Sequence, residues 1–302
     1  MNILFASTIE PPARWIPALE RALPQDRFLL EPAADIDVAL VAKPPANTFE
    51  QLPNLKLVQS LWMGVEQLLA DPSLPRRVPL ARLLDPGMIA AMTESVLAHA
   101  LDWHRLHFRY RAQQRERTWH QLPQVLAGER TIGILGLGEL GSVVAQALCA
   151  RGFRVLGLSR RPRQVAGVEC LTQFPDVLER SDLLVCMLPL TGQTQGILNA
   201  QAFEQMQEGA CLINVARGAH VVEKDLLEAL DSEWLTHAYL DVFEKEPLPP
   251  GHRLWTHPRV TVTPHVAALT DPRTALPKIV ENIERVRRGE PPVGLVDPAS
   301  GY

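Results

Sequence analysis

Short runs of apolar residues alternate with longer polar or amphipathic stretches along most of the chain. In the early part of the sequence these runs are Ile3–Ala6, Val38–Ala42 and Leu55–Ser60. Such alternation is typical of parallel strands joined by crossover helices. A proline-rich stretch over residues 72–86 ends the series. The pattern therefore predicts one α/β unit at the start of the chain.

A second series of apolar runs begins at Thr131. Six strands are predicted there, at Ile132–Leu135, Arg154–Leu158, Leu183–Leu188, Cys211–Val215, Ala238–Val242 and Val260–Thr263. Strands in this number, with helix-length segments between them, complete a doubly wound parallel sheet. The predicted fold class is therefore α/β, with two doubly wound parallel-sheet domains.

Two long helices are predicted outside these strands. Apolar residues recur at every third or fourth position over residues 88–106. A final helix is predicted from Asp271 as N-cap and Pro272 as first residue, up to Gly289. Pro277 lies inside this last pattern, and we expect it to kink or restart the helix.

Composition limits the classes of partner. The chain has 302 residues, enough for two domains with sizeable cores. Its charged fraction is 21% and its net charge is -4, which gives no reason to expect a nucleic-acid partner. Its four cysteines form no C-x-x-C pair, a usage that suits a reducing cytoplasm. No signal peptide or membrane-spanning segment is apparent, so we expect a cytoplasmic protein without membrane partners.

The strongest motif is the string G-L-G-E-L-G, formed by Gly136, Leu137, Gly138, Glu139, Leu140 and Gly141. It follows a predicted strand and opens a helix-like segment, which is the setting that a dinucleotide fingerprint requires. Gly136 permits the tight turn, Gly138 lets the backbone approach a pyrophosphate, and Gly141 lets helix and strand pack closely. The N–H groups at the helix N-terminus then face the phosphates. The sequence therefore predicts a dinucleotide-binding site.

The turn after the next strand distinguishes between the two nicotinamide cofactors. An acid commonly binds the ribose 2′-hydroxyl of NAD there, whereas this chain has Ser159, Arg160 and Arg161. Guanidinium groups bind phosphate through two parallel hydrogen bonds, and an acid would repel the 2′-phosphate of NADP. We therefore predict NADP as the cofactor, with NADPH preferred over NADH. The alternative is a solvated basic turn, since Arg163 also lies nearby.

Three ionisable residues follow predicted strand ends of the second domain, where ligands of open α/β sheets bind. They are Arg217, Glu246 and His265. Together they suit reduction of a 2-keto acid, because a histidine supplies the proton, a carboxylate orients it and an arginine binds the substrate carboxylate. Each alone is more often structural, but three at consecutive strand ends favour catalysis. No residue cluster has the spacing of metal ligands, so no metal is expected.

Longer strings around these residues resemble those of the D-2-hydroxyacid dehydrogenases. The strings are N-V-A-R-G at 214–218, D-V-F-x-x-E-P-L at 241–248 and T-P-H-V-A-A at 263–268. Further points of likeness are L-W-M-G-V-E at 61–66, A-R-G-A-H-V-V-E at 216–223, E-P-L-P-P at 246–250 and the terminal Gly301-Tyr302. The resemblance covers nearly the whole chain.

The resemblance implies a flavodoxin-like substrate domain over residues 1–92 and 272–302, with a Rossmann cofactor domain over residues 93–271 inserted into it. It implies a homodimer through the cofactor domains. It implies that Arg217 binds the substrate and that Glu246 and His265 form an acid–base pair. The other implied cofactor contacts are Leu188, Pro189, Val215, Ala216, Asp241 and Ala267.

The resemblance also implies substrate contacts from Trp62, Met63 and Gly64, of which the backbone N–H groups would bind the substrate carboxylate. An ordinary strand–helix turn is the alternative for this loop. Trp119 follows the long helix, at a position where related reductases place a tryptophan that reaches into the active site of the partner subunit. The alternative for Trp119 is a buried interface aromatic.

Three hypotheses follow. The first is an NADPH-dependent reductase of glyoxylate and hydroxypyruvate, which stay equal candidates. The second keeps the enzyme but takes a bulkier 2-keto acid, although Trp62, Met63 and Trp119 would crowd a large side chain. The third is a non-enzymatic dinucleotide sensor on the same scaffold. The retained Arg–Glu–His set favours an enzyme.

Overall fold

The computed structural model describes residues 1–297, so the terminal Gly301 and Tyr302 lie outside the described residues. Contacts divide the chain into two compact units. The first unit joins Met1–Met88 to the segment that starts at Thr270, and the second unit is Ile89–Leu269. Each unit contains one parallel sheet.

The strands are β1 (Asn2–Ser7), β2 (Arg27–Leu29), β3 (Val38–Ala42), β4 (Leu57–Ser60), β5 (Leu80–Ala81), β6 (Thr131–Leu135), β7 (Arg154–Leu158), β8 (Val168–Leu171), β9 (Leu183–Cys186), β10 (Ala210–Asn214), β11 (Leu235–Leu240) and β12 (Val260–Val262). The α-helices are α1 (Pro12–Ala22), α2 (Glu66–Leu69), α3 (Pro86–His104), α4 (His107–Glu116), α5 (Glu139–Cys149), α6 (Phe174–Glu179), α7 (Ala200–Gln205), α8 (Glu223–Asp231) and α9 (Pro272–Arg287). The first division between the units falls inside α3, whereas the predicted one lies at residue 92. Both positions belong to one continuous helix, whose sequence pattern has no break.

The sheet of the first unit has the strand order β2-β1-β3-β4-β5, and all its strand pairs are parallel. This is the flavodoxin-like order. The predicted apolar runs form β1, β3 and β4, and every residue of β3 and β4 is buried. The sequence does not predict the two edge strands. β2 has three residues and β5 has two, which is too few to show a periodic pattern of apolar residues.

The sheet of the second unit has the order β12-β11-β10-β9-β6-β7-β8 and is also entirely parallel. Read outward from β6, this is the doubly wound order of dinucleotide-binding domains. All six predicted strands are present. The additional strand, β8, lies at the edge and is only half-buried, so it lacks the continuous apolar run of the buried strands β9 and β10.

The two predicted helices are present with altered detail. The first ends at His104, and Leu106, with a left-handed φ of 59°, separates α3 from α4. Helix α9 starts as predicted, because the Asp271 side chain caps it by accepting a hydrogen bond from the Arg273 N–H. It continues through Pro277, so the expected restart is not observed. Buried apolar residues on both sides of the proline hold the helix in place, namely Ala275, Ile279 and Ile283.

A buried amide pair anchors α9 within the first unit. Asn282 Nδ2 donates to Gln59 Oε1 over 2.7 Å and to the Val293 carbonyl over 2.9 Å. Asn282 Oδ1 accepts from the Val293 N–H over 2.7 Å, and Gln59 donates to the Ser60 carbonyl over 2.8 Å. Both amide side chains are thus satisfied although they are buried.

Three histidines of the second unit are held without charge by burial. Burial lowers the pKa of His99 and of His104, and it lowers the pKa of His237 to about 3. His237 is 3% exposed, and its Nε2 lies 2.9 Å from Thr261 Oγ1. Each of these rings is therefore neutral at neutral pH, and His237 belongs to the core of the unit.

Candidate active site

The glycine turn lies between β6 and α5, the strand–turn–helix setting that the sequence predicts. The N–H groups of Gly136 and Leu137 donate to the Leu158 carbonyl over 3.2 and 3.0 Å, which ties the turn to β7. Gly136 has a φ of 104°, a conformation that favours glycine. The Leu137 side chain is buried against Gly157, so this residue packs through its side chain.

The space around the three glycines differs. A Cβ on Gly141 would lie 1.9 Å from the Gly136 carbonyl oxygen, and a Cβ on Gly136 would lie 2.9 Å from the Met187 carbonyl oxygen. A Cβ on Gly138 would meet no protein atom within 4 Å. Packing therefore explains Gly136 and Gly141, whereas Gly138 borders open space at the N-terminus of α5. The turn fits a pyrophosphate, since such a group needs that space and the helix N–H groups. Glu139 and Leu140 form the first residues of α5.

The turn after β7 is basic and contacts the glycine turn. The Ser159 hydroxyl donates to the Arg161 carbonyl over 2.8 Å, so it shapes the turn itself. Arg160 and Arg161 are exposed. Arg163 donates to the Leu137 carbonyl in the glycine turn. Positive charge is therefore concentrated beside the glycine turn.

The remaining predicted cofactor residues follow neighbouring strands of the same sheet. Leu188 and Pro189 follow β9, Val215 and Ala216 follow β10, Asp241 follows β11, and Ala267 follows β12. The carboxyl ends of parallel strands meet at one edge of a sheet, so these residues lie along that edge. Burial raises the pKa of Cys186, at the end of β9, to about 12. Its thiol therefore stays protonated and is no nucleophile.

Glu246 and His265 form a hydrogen-bonded pair at this edge. Glu246 Oε2 lies 2.7 Å from His265 Nδ1. The other carboxylate oxygen, Oε1, accepts from the Phe243 N–H over 2.9 Å. The His265 side chain is 50% exposed. Because a carboxylate only accepts, Nδ1 carries a hydrogen, and Nε2 is the ring nitrogen that can exchange a proton with a ligand.

Asp241 shapes the loop that carries His265. The buried carboxylate accepts from the Thr263 hydroxyl over 2.7 Å and from the N–H groups of Val266 and Ala267 over 2.9 and 3.0 Å. The Asp241 carbonyl accepts from the His265 N–H over 2.8 Å. These bonds hold His265 at a φ of 54°, a left-handed conformation that is strained for a residue with a side chain.

Arg217 begins a tight turn after β10. Its carbonyl accepts from Asn214 Nδ2 over 3.0 Å, and its guanidinium donates to the Ala216 carbonyl over 2.6 Å. The next residue, Gly218, packs against backbone, since a Cβ there would lie 1.8 Å from the Phe243 carbonyl carbon. The turn of Arg217 is therefore pressed against the loop that leads to Glu246.

Two side chains that hold this turn do not stand out in the sequence. Asn214 also accepts from the Ala216 N–H over 3.2 Å, and buried His220 lies three residues beyond Arg217. The sequence contains only a weak signal for these two residues. An asparagine, or a polar residue three positions after the start of a turn, commonly forms a hydrogen bond with a backbone group of that turn. Their hydrogen-bond partners become visible only in the fold.

The loop Trp62–Gly64 follows β4 in the first unit. The Trp62 N–H donates to Ser60 Oγ over 3.0 Å. It is therefore engaged within the loop, in contrast to the expectation that it binds the substrate carboxylate. The Trp62 carbonyl accepts from the Leu83 N–H over 3.0 Å. In the second unit, Trp119 lies beyond α4 and is 95% exposed.

Within residues 1–297, no helix combines the length and the apolar character that crossing a bilayer demands. Over the same described residues, no group of three or more His, Cys, Asp and Glu side chains is arranged to hold a metal ion.

Comparison with known families defines the class of protein. Residues 97–267 match the family model for the NAD binding domain of the D-isomer specific 2-hydroxyacid dehydrogenases. The chain belongs to this family. It is 41% identical to glyoxylate/hydroxypyruvate reductase A of Yersinia enterocolitica and 42% identical to the protein of that name from Serratia proteamaculans, over 100% of both chains in each case.

Solved structures are similar over the whole chain. A D-isomer specific 2-hydroxyacid dehydrogenase from Xanthobacter autotrophicus Py2, in complex with NADPH and MES, is 42% identical with a TM-score of 0.95, covering 100% of this chain and 99% of that one. An NADPH-dependent glyoxylate/hydroxypyruvate reductase from Sinorhizobium meliloti, in complex with NADP and sulfate, is 37% identical with a TM-score of 0.95 and the same coverage. The predicted fold class, two parallel-sheet α/β domains, is confirmed.

Proposed function

We propose that the protein is an NADPH-dependent reductase of small 2-keto acids, which converts glyoxylate to glycolate and hydroxypyruvate to glycerate. The observation that carries the proposal is the 2.7 Å hydrogen bond between Glu246 and His265, at the edge of the sheet where the glycine turn also lies. The names of the Yersinia and Serratia relatives, and the NADPH and NADP bound to the solved relatives, support it.

The chemistry needs one hydride and one proton. When bound, NADPH supplies the hydride that forms the new C–H bond at the keto carbon. The π electrons of the carbonyl move to its oxygen, and that oxygen takes the proton from Nε2 of His265. Glu246 holds the Nδ1–H, which orients the ring and balances its positive charge. His265 is therefore the proposed proton donor, and Glu246 its partner.

Arg217 is proposed to bind the substrate. Its guanidinium presents parallel N–H groups that match a carboxylate and also polarise the adjacent carbonyl oxygen. Its backbone is fixed by Asn214 and by the close approach of Gly218 to Phe243. Fixed placement of this kind holds the keto carbon in line for reaction. Asp241 contributes by holding the His265 loop beside the proposed nicotinamide position.

The cofactor assignment follows from the two turns. The N-terminus of α5 and Gly138 would hold the pyrophosphate. Ser159, Arg160 and Arg161 would hold the 2′-phosphate, which NADH lacks. We therefore propose that NADPH binds more tightly than NADH.

The substrate and assembly proposals rest on the family. In the first unit, the N–H groups of Met63 and Gly64 are proposed to contact the substrate carboxylate, and bulky Trp62 favours small keto acids. The 95% exposed Trp119 is proposed to contact substrate held by the other subunit of a homodimer, which forms through the cofactor domains. We propose that the enzyme acts in the cytoplasm.

The proposal is tested by the loss of NADPH absorbance with glyoxylate or hydroxypyruvate, repeated with NADH. We expect turnover with both keto acids and faster turnover with NADPH. If the wild-type protein binds NADPH but oxidises it with neither keto acid, the proposed substrate is wrong, and bulkier 2-keto acids are then assayed in the same way. Turnover with NADH alone contradicts the cofactor assignment.

The role of His265 is tested by His265→Gln. We expect turnover to fall by at least about 100-fold, the usual contribution of a general acid, while NADPH binding is retained. His252→Gln is the matched control, because His252 forms a second histidine–carboxylate pair with Glu223 at 3.1 Å. Wild-type turnover by His265→Gln would remove this residue from the mechanism.

A further inference from the structure

His220 joins two loops of the second unit. The ring is fully buried and ends the short turn that Arg217 begins. Its Nδ1 lies 3.2 Å from the Arg217 backbone nitrogen. Its Nε2 lies 3.3 Å from the carbonyl oxygen of Pro189, which is 31 residues earlier in the chain. One imidazole therefore contacts both the proposed substrate-binding turn and a loop proposed to line the cofactor.

The partners set the direction of the two hydrogen bonds. The Pro189 carbonyl only accepts, so Nε2 carries the hydrogen. The Arg217 carbonyl oxygen also lies 3.1 Å from Nδ1, but it already accepts from Asn214 Nδ2 and from the His220 backbone N–H. Nδ1 therefore accepts from the Arg217 N–H. The tautomer with hydrogen on Nε2 thus satisfies both contacts at once. An apolar side chain of similar size would fill the same space but would align neither loop, which separates a directional role from a packing role.

The two loops need alignment because they follow neighbouring strands. In the register of β9 and β10, Asn214 lies beside Cys186, and each loop leaves the sheet directly after that pair. The Pro189 carbonyl has a second support, since it accepts from the Thr194 hydroxyl over 2.7 Å. Loss of the Nε2 bond is therefore expected to matter less than loss of the Nδ1 bond at Arg217.

We propose that His220 is a positioning residue, which acts on the substrate through Arg217 and on the cofactor through Pro189. Nδ1 fixes the backbone from which the Arg217 side chain extends, and Nε2 fixes the loop that follows β9. This inference rests on the proposed reductase function and on the two hydrogen bonds described above.

Two conservative variants separate the two bonds. His220→Asn places an amide oxygen near the position of Nδ1 and keeps the acceptor for Arg217, but it does not reach Pro189. His220→Gln places an amide nitrogen near the position of Nε2 and keeps the donor to Pro189. His220→Leu removes both bonds and retains the bulk. His237→Gln is the matched control, because it alters another buried histidine of the same unit.

The readouts are the KM for glyoxylate and the Kd for NADPH, the latter from fluorescence titration without substrate. For His220→Gln we expect the KM to rise about tenfold, the value of one hydrogen bond, with Kd within about twofold of wild type. For His220→Asn we expect the Kd to rise about threefold, with KM within about twofold, because Thr194 retains part of the loop. His220→Leu should raise both constants, and His237→Gln neither.

The inference is overturned if the Asn and Gln variants change both constants by the same factor, or if His220→Leu leaves both unchanged. It is also overturned if the Asn and Gln variants both fail to fold, because His220 is then a residue of stability alone. The Kd arm requires no turnover. A wild-type protein that binds NADPH but reduces no keto acid therefore contradicts the proposed function, while the Kd values still report on His220.

Discussion

Replacing Gly218 by alanine tests whether the Arg217 turn and the Glu246 loop need their close contact. A Cβ at this position lies 1.8 Å from the Phe243 carbonyl carbon and 2.3 Å from the Glu244 nitrogen. Both are backbone atoms, so no side-chain rotation relieves the clash. Ordinary contact begins at 3.4 Å, and the two segments must therefore separate by 3.4 − 1.8 = 1.6 Å.

A separation of this size moves Arg217 away from Glu246 and His265. Because misplacement by about 1 Å can lower the rate about 100-fold, we expect kcat/KM for glyoxylate to fall by about 100-fold. This corresponds to about 2.7 kcal/mol of transition-state stabilisation. Overpacking should also lower the free energy of unfolding by about 1–3 kcal/mol. The Kd for NADPH should rise by a much smaller factor, because the glycine turn is not displaced and only Val215 and Ala216 among the proposed cofactor contacts adjoin the turn that moves.

The measurements are kcat/KM from NADPH oxidation, Kd from fluorescence and the thermal midpoint from circular dichroism. Gly251→Ala is the matched control, because a Cβ there meets no atom within 4 Å. The control should match wild type in all three. A folded Gly218→Ala protein with wild-type kcat/KM would refute the reasoning, since the proposed site would then tolerate separation of its two loops.

Three further outcomes are expected. Replacing Arg160 and Arg161 together by alanine should weaken NADPH binding far more than NADH binding in parallel titrations, and equal losses would contradict the 2′-phosphate assignment. The pKa of His237 is lowered by burial to about 3, below the unfolded value of about 6.5. The unfolded state therefore takes up the proton first, and stability falls as the pH drops from about 6.5 towards about 3, by up to about 1.4 kcal/mol per pH unit. His237→Gln should reduce this slope in urea unfolding at a series of pH values, and an unchanged slope would show that the ring is not the cause. Asn282→Ala should lower the free energy of urea unfolding by about 3 kcal/mol, because it leaves Gln59 Oε1 without its donor in a buried site, and a loss below about 1 kcal/mol would contradict that account.

The buried centre of each sheet could be predicted from the sequence, and the edges could not. Strands β3 and β9 are apolar throughout because both of their faces are covered, and that produces an unbroken run. Strand β8 is V-E-C-L with Glu169 exposed, so no run or alternation marks it. Pro277 illustrates a different limit, because the tertiary packing of α9 overrides the local preference to end the helix.

In the proposed site, the positions of residues beyond strand ends could be predicted from the sequence, and the contacts between those residues could not. The rule that ligands bind beyond strand ends predicts Arg217, Glu246 and His265 as site residues from the sequence alone. The 2.7 Å contact between the last two depends on how two loops fold, and spacing along the chain does not contain it. No pattern in the sequence marks a partner for His220, because its contact with Pro189 joins positions 31 residues apart. A lone buried polar residue acquires a role only when its neighbours in space are known.

The amide pair of Asn282 and Gln59 has a consequence for the order in which the protein is made. Gln59 is synthesised early, whereas its partner is on α9, which starts at Pro272. All strands of the second unit leave the ribosome before α9 does, so that unit can fold while the first unit still lacks its last helix. A nascent chain therefore carries an unfinished first unit until residue 282 has left the ribosome, and chaperones have that interval in which to bind it.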